Sequence, residues 1–158
     1  MEQNYITILI QSLEKKISVL NDISQENQKQ KSVLQAEEID LDAFGETVEK
    51  KAALIEQVAF LDDGFSKMYE RVKEALHTDK HMYQTEIATL KQLIGQITEL
   101  TVQIQKEEQN NRVLAEQQFN GEKRKVRQMK NTKAAANKYY QNMTKLNVVE
   151  PQFMDKKK

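Results

Sequence analysis

Apolar residues recur along this chain at alternating spacings of three and four, the mark of helices packed along narrow seams. From Tyr5 the series Ile6, Ile10, Leu13, Ile17 and Leu20 predicts a first helix. Its register then meets Ser24, Asn27 and Lys31 before Val33 and Leu34 restore an apolar face, so polar residues fall on the inner side of its second half. Asn27 is either a buried register-fixing residue or a solvated one near a helix end. The run Glu37-Glu38-Ile39-Asp40-Leu41-Asp42 breaks the pattern, and Asp40 or Asp42 can cap a second helix. That helix carries Phe44, Val48, Ala52, Ile55, Val58, Phe65, Tyr69, Val72 and Leu76, widened by Leu54, Leu61 and Met68. Gly64 inside it costs about 1 kcal/mol relative to Ala, which a kink or a close helix approach would offset.

Thr78 or Asp79 can cap a third helix through Tyr83, Ile87, Leu90, Ile94, Ile97, Thr101 and Ile104. No proline interrupts the stretch from Thr78 to Leu146. Its stripe thins, however: Glu108 and Asn111 fall on it, Leu114 and Phe119 partly restore it, and beyond them stand Val126, Met129, Ala136, Tyr140 and Met143, with Tyr139 alongside. At the rise of a helix the first two segments span roughly 50 Å each and a continuous third close to 100 Å. Antiparallel packing of the first two on the third reaches its limit near Phe119, where Asn120 and Gly121 offer a break. Pro151 ends any helix soon after Leu146. The expected fold is all-α: an antiparallel bundle of about three long helices with coiled-coil-like packing and an extended C-terminal helical segment. The parts are a bundle over 1–120, an amphipathic segment over 121–146 and a tail over 147–158.

Composition supports this reading. Charged residues make up 30% of the 158, with four glycines and one proline, which favours long helices over turn-rich sheets. Absence of cysteine removes disulfides, thiolate metal sites and cysteine nucleophiles, and fits the cytoplasm. Met1-Glu2 begins no signal-type leader and no run approaches a membrane span, so a soluble, unprocessed chain without stable membrane insertion is expected.

Candidate chemistry is sparse. Glu74-Ala75-Leu76-His77 has the Glu-x-x-His spacing of di-iron bundles, and His81 follows four residues later. Such a site needs the motif on two helices, and the chain has two histidines, both here. Leu76 takes the inward position, leaving Glu74 and His77 to face outward. No phosphate loop, nucleophile elbow or Ser/His/Asp arrangement is present, so neither an enzyme nor a cofactor is expected. Lys123, Arg124, Lys125, Arg127, Lys130, Lys133 and Lys138 face a single acid, Glu122, while Glu37, Glu38, Asp40, Asp42, Glu46 and Glu49 lack any base among them. The basic run is a solvated face, a match for the acidic run, or an attractor of nucleic acid or an acidic partner. Tyr139 and Tyr140 follow it without interleaving, which argues against nucleic acid.

The thin apolar face of the same segment is the better functional candidate. Burying Val126, Met129, Tyr140 and Met143 yields roughly 6 to 12 kcal/mol gross at about 1.5 to 3 per side chain. Ordering offsets about 2 to 5 of it. The balance suits a reversible partner, while packing on the chain's own bundle or in a homodimer remains the competing use.

Leu13-Glu14-Lys15-Lys16, Glu49-Lys50 with Leu54-Ile55, Leu61-Asp62 with Phe65, Ile104 with Glu108 and Asn111, and the ending Tyr139-Tyr140 through Phe153-Met154-Asp155-Lys156-Lys157 together resemble the FlgN family of flagellar type III export chaperones. The resemblance implies a cytoplasmic helical chaperone that binds hook-filament junction (hook-associated) proteins and delivers them to the export gate. It also implies a cargo-binding C-terminal region, which by position carries Val126, Met129, Ala136, Tyr139, Tyr140 and Met143. The rival reading is a coiled-coil scaffold or self-associating structural protein.

Overall fold

A computed structural model describes residues 2–120. They form three long helices, α1 (Glu2–Gln35), α2 (Leu41–Thr78) and α3 (Gln84–Phe119), running up, down and up. At about 1.5 Å per residue all three are near 50 to 57 Å long. Within the described residues the third helix is therefore about as long as its partners. It ends at Phe119, and Asn120 has extended backbone, φ −70° and ψ 113°.

The α1–α2 junction follows its sequence signal. Of the two candidate caps Asp40 is used: its Oδ1 accepts from the Ala43 N–H at 3.1 Å. The α2–α3 junction does not. Thr78 is the last residue of α2, its hydroxyl donating to the Glu74 carbonyl at 2.8 Å, and Asp79 caps the C-terminus through its N–H to the Ala75 carbonyl. Neither caps α3, whose N-cap is Tyr83 without a side-chain cap bond. Tyr83 is buried at the core end, so the start of α3 is set by an apolar anchor rather than by a polar cap.

Backbone approaches are close between α1 and α2 and between α1 and α3, whereas α2 and α3 meet through side chains. The central element is thus α1, not α3 as the stripe lengths suggested. Facing two helices shifts its seam: the buried series is Ile6, Leu9, Leu13, Lys16, Leu20, Ile23, Asn27, Gln30 and Leu34, with Ile10, Ile17 and Ser24 half-buried beside it. Lys31, expected on the seam, is exposed. In α2, Ala52 is only half-buried and Lys51 points inward instead.

The remaining apolar stripes pack as the pattern requires. One large cluster joins Ile6 through Ile23 with Ile55 through Leu76 and Tyr83 through Ile104, and a smaller one at the far end joins Leu34, Phe44, Val48 and Phe119. Gly64 does not meet a neighbouring helix: it is exposed, and a Cβ there would find nothing within 4 Å.

Candidate functional site

The residues expected to bind a partner, Val126, Met129, Ala136, Tyr139, Tyr140 and Met143, lie outside the described residues, as do the basic run Lys123–Arg127 and Pro151. The structure describes the end of the bundle from which that segment departs.

This end is built in two layers. The outer layer is the small apolar cluster, in which the Phe44 and Phe119 rings lie 5.7 Å apart, centroid to centroid, tilted by 60°. Gln118 stitches it to α1, its Nε2 donating to the Leu34 carbonyl at 2.8 Å and the Ala36 carbonyl at 3.1 Å. Those carbonyls close the C-terminal turn of α1, whose end has no basic residue to satisfy them.

Beneath the cluster lies a polar layer centred on Lys51. Its Nζ donates to Glu108 Oε1 at 2.8 Å and Oε2 at 3.0 Å, to Gln30 Oε1 at 2.8 Å and to Asn27 Oδ1 at 3.1 Å. Asn111 Nδ2 donates to the Asn27 carbonyl and to Gln30 Oε1, and Gln30 Nε2 donates to Thr47 Oγ1. All three helices therefore share one network with both charges buried. Burial pushes the Lys51 ammonium below its ordinary value, while Glu108, by charge and hydrogen bond, and Glu26 and Glu107, by charge, oppose the shift. Glu107, alongside, gathers Ser24, Asn27, Gln28 and Gln103.

Such a layer adds little net stability over an apolar one but favours one register, since sliding α2 or α3 by one turn would strand a buried charge and sliding α1 would leave buried amides without their partners. Asn27 is thereby the buried alternative of the two left open by sequence, fully inaccessible to solvent. Lys51 was missed because a lysine reads as solvent-facing. Its signal lay in the partner helix: Glu108 and Asn111 on the α3 stripe demand a cation and donors opposite. The same holds for Lys16, which pairs with Asp62 at 2.7 Å between α1 and α2, both largely buried. Burial pushes the Asp62 carboxyl up, against the lowering pull of Lys16.

The remaining candidates gain no geometry. Glu74 and His81 are exposed, and Leu76 is inward as expected. Among the described residues no group of three or more His, Cys, Asp or Glu could hold a metal. No helix among them is long and apolar enough to cross a membrane. The acidic residues Glu37, Glu38, Asp40, Asp42, Glu46 and Glu49 are all exposed, at the same end as Phe119.

A protein-family model described as FlgN protein matches residues 1–147. No curated protein and no solved structure matches the chain.

Proposed function

The chain belongs to the FlgN family, and from that premise we propose that segment 121–146 captures cargo by helix packing and that the bundle presents it for delivery to the export gate. As a member of the family the protein is a cytoplasmic, non-enzymatic flagellar export chaperone for hook-associated proteins. The proposal concerns how it does so.

One observation carries the reading: α1 ends at Gln35, α2 begins at Leu41, and Phe119 is buried between them. A helix carried past that level in line with α3 would find neither α1 nor α2 to cover its apolar face. Val126, Met129, Ala136, Tyr140 and Met143 keep the three-and-four spacing of a helix face, with Tyr139 beside it. Methionine suits such a surface, because its flexible side chain adapts to differing apolar partners. A homodimer through the same residues is the competing use of this face.

Charged substitutions test the assignment. Met129→Glu, Tyr140→Glu and Met143→Glu are each expected to abolish binding of a hook-filament junction protein while leaving far-UV helicity and Tm unchanged. Normal binding by these variants would overturn the assignment. Sedimentation separates the competing use, since a tight dimer lost in the same variants would identify a self-association seam instead.

A further inference from the structure

Opposite the core side of α2, Phe60 is 79% exposed, the most exposed of the large apolar side chains among the described residues. Ala53, seven residues before it, and Gly64, four after it, lie on the same face, and both are exposed. With no side chain at Gly64 and nothing within 4 Å of where its Cβ would stand, the face offers a shallow apolar seat one turn from the ring.

We propose that, when no cargo is bound, this seat holds the protein's own C-terminal segment, Tyr140 and Met143 packing against Phe60. The inference rests on the reading of 121–146 as the cargo-binding segment, and it makes Phe60 the competitor for the same residues.

Three features select this occupant. The first is reach. Segment 121–146 leaves from Phe119, whose ring packs on Phe44 near the start of α2. A connector of about seven residues spans up to about 24 Å, enough to round one helix of about 10 to 12 Å diameter. The second is level. Phe60 lies sixteen residues beyond Phe44, about 24 Å along α2. A return helix that starts level with Phe44 after about four to seven connecting residues reaches Phe60 between residues 140 and 143. Tyr140 and Met143 bound that window.

The third is charge. Exposed Glu46, Glu49 and Glu56 precede Phe60 on α2, where Lys50 is the exposed base. A return helix in this register brings Arg127, Lys130 and Lys133 past them. The exposed Val102 and Val113 of α3 make a poorer seat, because Lys106 and Arg112 lie between them and repel the same segment.

The chain has no cysteine, so site-specific crosslinking reads the contact directly. In the full chain, Lys67→Cys, exposed on the same face just beyond the seat, with Lys145→Cys is treated with a short bismaleimide, and Val102→Cys with Lys145→Cys serves as the control pair. The expected result is an intramolecular crosslink forming at least about tenfold faster in the first pair, lost when Phe60→Glu is added. Equal rates in the two pairs, a crosslink between chains, or indifference to Phe60→Glu would overturn the proposal. Saturating hook-filament junction protein is expected to slow the reaction, and Phe60→Glu alone to raise cargo affinity about three- to tenfold. A crosslink undiminished by bound cargo leaves the α2 contact standing and refutes instead the placement of cargo on 121–146.

Discussion

Replacing Lys51 by methionine removes one ammonium and leaves several acceptors behind it. Glu108 keeps its carboxylate, 3% exposed at the side chain, without the cation that both its oxygens now contact, and Asn27 Oδ1 and Gln30 Oε1 each lose a donor. Breaking a buried pair in this way costs about 3 to 5 kcal/mol, most of it the penalty of the stranded charge. Against a total stability of about 5 to 15 kcal/mol that is a large fraction. For a chain of this length it lowers Tm by roughly 6 to 20 °C. Glu108→Leu alone strands the lysine instead, and the penalty is smaller to the extent that Lys51, already held low by burial, can shed its proton. The double variant Lys51→Met/Glu108→Leu strands neither charge. Urea unfolding of the four proteins is therefore expected to give a double variant more stable than additivity by at least about 2 kcal/mol. A cost below about 1 kcal/mol for Lys51→Met, or simple additivity, would show that the pair is not buried and coupled as described.

Two further outcomes follow from the bundle. Gly95→Ala, in an exposed helix interior with open space for a Cβ, should raise the unfolding free energy by about 0.5 to 1 kcal/mol, and a loss of stability would reveal a contact or bend not described above. Asp62 should titrate above the ordinary 3.8 when followed by NMR. Because the folded state then holds the proton more tightly, this group's contribution declines as pH rises from 3.8 through its folded pKa, and a value below 3.8 would mean that Lys16 outweighs burial.

The helices were legible because their apolar residues repeat at three and four, and the break after Phe119 was legible because Asn120 and Gly121 follow it where the stripe thins. Ile6, Leu13, Leu20, Asn27 and Leu34 lie on the seam of α1 as expected, but its alternate positions were read one residue off: Ile10 and Ile17 look like better core residues than Lys16, and only the presence of two partner helices brings Leu9, Lys16, Ile23 and Gln30 inward. Both buried lysines escaped notice for the same reason, since burial of a charge depends on a partner far away in sequence, Asp62 for Lys16 and Glu108 for Lys51. The start of α3 was misread because Thr78 and Asp79 have capping chemistry in either direction along the chain, and Tyr83, with none, decides the matter by burial. Polar residues on an apolar stripe proved more informative than the stripe itself. Asn27, Glu108 and Asn111 meet in one layer that fixes how the helices align, and so fixes where the C-terminal segment departs.

The most direct test of the chaperone account places a photo-crosslinking amino acid at single positions in the full chain and exposes each protein to light in the presence of a hook-filament junction protein. Positions 129, 136, 140 and 143 are expected to yield covalent adducts with the cargo, and the exposed bundle positions 22 and 110 to yield none. Adducts from 22 or 110 with none from 129, 136, 140 and 143 would contradict it, placing cargo on the bundle and leaving the C-terminal segment another role.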